Sequence, residues 1–213
     1  MTAGIVEPEV ALERMTEPGS FAVPGFAARH YFIAVVFALL AAAVTWWPAV
    51  RYAPADAAPG IVAIAAVLGF IGFIDARTKL IPDAYTISAF TIVLAFVIRV
   101  QVTRGLGQPV FVSAAGTAAG AFFVMMLLVF ITGFASGGDI KFAPAPAAML
   151  AVIAPLTAVI WLGLAFLLSL FALAIRLKIR PDDKSGFPMA PMMAAALPIA
   201  LAAGHYVFAL AVR

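Results

Sequence analysis

The chain has 213 residues, 65% of them hydrophobic and only 11% charged, with a mean hydropathy of +1.13. Soluble domains carry about a quarter charged residues, so this composition excludes an ordinary soluble globule and points to an integral membrane protein. Cysteine is absent, which excludes disulfides, thiolate catalysis and cysteine zinc sites, and the net charge of +3 lies in short loops, as membrane orientation requires and nucleic-acid binding does not.

Residues 1–28 hold Glu7, Glu9, Glu13 and Glu17 with Arg14, Pro and Gly breaks, and no early apolar core. They lack the pattern of a signal peptide and are expected to form a flexible cytoplasmic tail ahead of a transmembrane domain over 29–213. A crossing helix needs about 20 mostly apolar residues. On that measure the chain predicts segments near 31–50, 60–76, 84–102, 110–134, 140–153, 155–177 and 189–212. The runs are continuous rather than alternating, so the expected fold is an all-α polytopic transmembrane bundle of 6–7 membrane segments, not a barrel. The fifth segment is short. Pro144 and Pro146 are expected in its first turns, and Pro155 separates it from the sixth. Trp46, Trp47 and Tyr52 suit an interfacial aromatic belt.

Basic residues set the expected orientation. With the N-terminus inside and seven crossings, nine of the thirteen Lys and Arg residues face the cytoplasm and four (Arg51, Arg99, Arg104 and Arg213) face outward. Without a full fifth crossing the basic 176–184 loop moves outside, so the positive-inside tendency favours the crossing.

Two acids stand out in the apolar segments. Asp75 closes the second, in Gly72-Phe73-Ile74-Asp75-Ala76-Arg77, and Asp139 opens the fifth, in Ser136-Gly137-Gly138-Asp139-Ile140-Lys141. An ionisable group at membrane depth is costly and marks a functional site by default. Seven crossings bring both to the cytoplasmic side at similar depth, where a carboxyl pair sharing one proton can carry out acid–base chemistry. Asp139 precedes a helix, whose dipole favours the carboxylate, and Asp75 ends one, where the neutral acid is favoured; Asp139 is therefore the expected base and Asp75 the acid.

Plainer alternatives accompany each residue. Asp75 can cap the membrane boundary beside Arg77 and Lys79, and a Gly-Gly-Asp turn can simply start a helix. Asp83 is expected to cap the third segment, and Lys141 to meet either lipid headgroups or the catalytic carboxylate. His30 and His205 are far apart and suit packing rather than metal binding, so no metal or cofactor is expected.

Asp75 followed seven residues later by Pro82-Asp83, then Gly138-Asp139-Ile140-Lys141, then Lys184-Ser185-Gly186-Phe187-Pro188-Met189-Ala190-Pro191, resembles the type IV prepilin peptidases over residues 60–212. These are intramembrane aspartic proteases of the Gly-x-Gly-Asp class. The resemblance implies an aspartic endopeptidase that uses Asp75 and Asp139, with Ser136, Gly137, Gly138, Lys141, Pro82 and Asp83 in support. It implies prepilin-like membrane substrates cut behind a short basic leader at the cytoplasmic face, components of a pilus assembly system as further partners, and a bacterial inner-membrane location. Ser136 stands where the family's first Gly would be, and the first segment has no counterpart in short members. The cysteine-bearing domain of the bifunctional members is missing, so the likeness is to short, peptidase-only forms serving Flp (tight-adherence) pili, with no methyltransferase activity. The competing readings are a proton-coupled transporter or channel with an aspartate relay, a non-catalytic pilus or secretion assembly factor, and a presenilin-like protease, against which Ile74 replaces the tyrosine before the first acid.

Overall fold

The computed structural model describes residues 23, 25–132, 137–179 and 187–211. Within them lie helices α1 (Ala28–Tyr52), α2 (Ala58–Thr78), α3 (Asp83–Arg104), α4 (Val110–Thr132), α5 (Gly137–Phe142), α6 (Pro144–Ala151), α7 (Pro155–Ile179) and α8 (Ala190–Ala211). Among the described residues, α1, α2, α3, α4, α7 and α8 are long and apolar enough to cross a membrane. This is the expected all-α polytopic bundle. Of the expected tail over 1–28, residues 1–22 and 24 lie outside the described residues, as do the basic residues Arg180, Lys184 and Arg213.

Successive helices run between the same two ends of the bundle. At one end, Phe26 before α1 meets Phe73 near the close of α2, with ring centroids 6.2 Å apart. The amide of Ala190, the first residue of α8, donates to Asp75 on α2 at 3.1 Å. At the other end Arg104 closes α3 by donating to both carboxylate oxygens of Asp56 at 2.7 and 3.0 Å, and to the Val152 carbonyl at 3.0 Å. Ser113 on the first turn of α4 donates to the Ala151 carbonyl at 3.3 Å. The Arg104 guanidinium holds the Asp56 carboxyl below the usual carboxylate range.

The fifth predicted segment is two short helices, α5 and α6, within a few residues of the expected bounds. Pro144 and Pro146 lie in the first turn of α6, as expected, and the carbonyls of Ile140 and Phe142 lack their usual amide partners across the junction. Ala143 carries the chain across the junction: its amide donates to the Asp139 carbonyl at 3.0 Å, its carbonyl accepts from the Ala147 amide at 3.2 Å, and its φ of −53° and ψ of −33° are helical. Together α5 and α6 rise only about 22 Å over residues 137–151, and they still link the two ends. The start of α5 touches the loop before α3, and the end of α6 meets Arg104 at its close. Every residue of α6 is buried. A helix apolar on all sides belongs in the centre.

The other central element is α2, the most buried of the long helices. It ends where Lys79 takes a left-handed backbone, φ +57°, with its amide on the Asp75 carbonyl at 2.7 Å. Pro82 then holds the N-cap position of α3. The first helix is part of the bundle. It turns Ala34, Thr45 and Ala49 inward, and Gly69 of α2 lets the two backbones approach so closely that an added Cβ would lie 2.5 Å from the Phe37 carbonyl oxygen. Trp161 is fully buried in α7 and its indole N–H ties that helix to α8.

Candidate active site

The two central elements carry the two acids. Asp75 sits one turn before the end of α2 and Asp139 in the first turn of α5, with 1% and 0% of their surfaces exposed. They lie at the same end of the bundle, close enough for the Asp139 carboxyl to act electrostatically on Asp75. Isolated buried charges are expensive, and two together at one site cannot readily both ionise. A shared proton relieves both penalties.

Two further contacts assemble this end. Gly138 packs against the loop after α2: a Cβ there would be 3.1 Å from Ile81 Cβ and 3.3 Å from Ile81 N. Lys141 and Asp83 form an ion pair at 3.1 Å, joining the segment around Asp139 to the one that follows Asp75. Both side chains are about half exposed, so the pair contributes at most about 1 kcal/mol and serves as a link between segments. Asp83 was expected to cap α3, yet Pro82 occupies the cap and Asp83 is the first helical residue, its carboxylate turned to Lys141. Gly137 is exposed at the start of α5, and Ser136 lies outside the described residues.

The third element is α8. Its first amides are accounted for one by one: Pro191 has none, Met192 and Met193 donate to the Met189 carbonyl, and Ala190 donates to Asp75 Oδ2. Asp75 Oδ1 accepts no hydrogen bond among the described residues. Asp75 thus faces the amino end of α8 as well as ending α2. The helix-dipole asymmetry expected to make it the acid is therefore offset. A proton on Oδ1, with Oδ2 as the carbonyl oxygen accepting from Ala190, remains compatible with this geometry.

Sequence reasoning missed the Ala190 amide, because a backbone donor leaves no side-chain signature. The available signal was the pairing of Gly72, one turn before Asp75, with Pro191 in the third motif. The histidines are engaged in packing and capping. His30 Nδ1 accepts from the Ala27 amide at 2.9 Å, and His205 packs at a tilt against Tyr52, ring centroids 5.0 Å apart. Among the described residues no three His, Cys, Asp or Glu side chains gather where they could hold a metal ion.

A sequence model described as the type IV leader peptidase family matches residues 62–177, just over half of the chain, and its span takes in both acids. No curated protein and no solved structure matches the chain.

Proposed function

The chain belongs to the type IV leader peptidase family, and from that membership we propose that it is an intramembrane aspartic endopeptidase acting through Asp75 and Asp139. Its substrates are prepilin-like membrane proteins, whose short basic leader it removes at the cytoplasmic face. The observation that carries this reading is the burial of both acids at one end of the bundle, each on a central element.

The chemistry follows from one shared proton. The ionised carboxyl takes a proton from water as its oxygen bonds to the scissile carbonyl carbon. The protonated carboxyl gives its proton to the carbonyl oxygen, forming a neutral gem-diol. As the gem-diol collapses, one hydroxyl gives its proton to the carboxyl now ionised, the C–N bond breaks, and the leaving nitrogen takes the proton of the other carboxyl, which restores the singly protonated pair. Which acid plays which part is fixed less by helix ends than the sequence suggests, since both face the amino end of a helix.

Orientation supports the cytoplasmic side. Among the described residues Arg29, Arg77, Lys79, Lys141, Arg176 and Lys178 lie at the end holding the acids, against Arg51, Arg99 and Arg104 toward the other. The reading therefore includes a multi-pass protein of the bacterial inner membrane with a cytoplasmic N-terminus, serving a pilus assembly system, without methyltransferase activity.

The test is leader removal from a purified prepilin-like probe in proteoliposomes. Asp75→Asn and Asp139→Asn should each lower the rate by about 10²–10⁴-fold while the protein stays folded. Normal cleavage by either variant, or proton flux through the wild type without cleavage, overturns the reading.

A further inference from the structure

The start of α8 is held against Asp75 from two sides. On the α2 side, Gly72 leaves a notch one turn before Asp75: a Cβ built there would lie 3.2 Å from Pro191 Cα and 3.3 Å from Pro191 N. Both are backbone atoms of a proline in the first turn of α8, so neither can swing aside as a flexible side chain would. On the α7 side, the fully buried Trp161 donates its indole N–H to the Met193 carbonyl at 2.9 Å. Met193 completes the same first turn. Between these two restraints lies the Ala190 amide, 3.1 Å from Asp75 Oδ2 and buried.

We propose that Gly72 and Trp161 are positioning residues, which set the first turn of α8 so that the Ala190 amide stays on Asp75. Neither touches the reacting atoms. Gly72 sets how near α8 may come, and Trp161 keeps it from sliding or turning away. A methyl group at Gly72 forces Pro191 back by a few tenths of an ångström, enough to weaken a hydrogen bond that is already 3.1 Å long. Loss of the indole donor frees the same turn and leaves a buried carbonyl with one partner fewer. The kinetic consequence rests on the peptidase reading above, whereas the effect on Asp75 itself does not.

Labelling with dicyclohexylcarbodiimide, located by mass spectrometry, reads Asp75 without any substrate. The reagent adds to protonated buried carboxyls, and a carboxyl that loses an N–H donor is more often protonated. Gly72→Ala and Trp161→Phe should each label at Asp75 at least threefold faster than wild type. Gly60→Ala is the packing control, because its new methyl meets Met149 and Phe96 on the far part of α2 and should leave Asp75 labelling unchanged. On the prepilin-like probe, Gly72→Ala should lower kcat about tenfold with KM within twofold of wild type. Labelling at the wild-type rate in both Gly72→Ala and Trp161→Phe overturns the proposal, as does an equal rise in Gly60→Ala. Faster labelling with a wild type that cleaves no probe instead sinks the peptidase reading and leaves the positioning role standing.

Discussion

A charged side chain in this bundle is informative because so few are present and each must find a partner. Arg104 and Asp56 form a two-bond pair at the end away from the acids, and the guanidinium also reaches the Val152 carbonyl. Asp56 lies between α1 and α2, outside the crossing helices, and its carboxyl is held below its ordinary range chiefly by the hydrogen bonds from Arg104. Since the folded value is depressed, the pair's contribution to stability is present above the ordinary aspartate range, about pH 4, and is lost as pH falls through the folded value. Thermal unfolding in detergent between about pH 3 and 6 should show wild-type stability dropping at the acid end. Asp56→Asn should flatten that limb and lower stability at neutral pH, and an unchanged acid limb would refute the assignment.

At the scale of elements, close approach of backbones decides the packing. Without a hydrophobic force between helices in lipid, small residues that admit near contact take its place. Gly69 is the tightest case, and Gly69→Ala should cost about 1–3 kcal/mol through overpacking against α1, measured by denaturant unfolding in micelles. Wild-type stability in that variant would mean that α1 is loosely attached. Much of this level was legible in the sequence. All seven predicted segments lie within a few residues of observed helices, because long apolar runs bounded by Pro, Gly and charge leave little choice. The fifth was legible in its bounds and in the place of its prolines, which open α6, but not in its division into α5 and α6. Asp75 and Asp139 were visible because a carboxyl in an apolar run is conspicuous. Ala190 was not, since its contribution is an amide that every residue but proline possesses.

For the whole molecule, topology is the property most open to direct measurement. The absence of native cysteine makes single-cysteine labelling clean. Gly107, in the loop between α3 and α4, has nothing within 4 Å of an added Cβ, and Ile179 at the end of α7 is 71% exposed. A membrane-impermeant maleimide should label Gly107→Cys in intact spheroplasts and Ile179→Cys only after permeabilisation. The reverse pattern would place the acids on the outer face and end the proposal of cytoplasmic cleavage. Labelling of both from one side would contradict the end-to-end run of α5 and α6.

Asp75 and Asp139 are sealed inside the bundle, 1% and 0% exposed. Hydrolysis consumes a water molecule beside the scissile carbonyl, and carboxyls closed to solvent admit neither water nor substrate until the bundle opens. For a peptidase working through these acids, every turnover therefore begins with helices parting, a movement on the microsecond-to-millisecond scale. On that reading the closed bundle keeps unrelated transmembrane chains from the acids, and cooling or a stiffer bilayer should slow turnover more than bond-breaking alone requires.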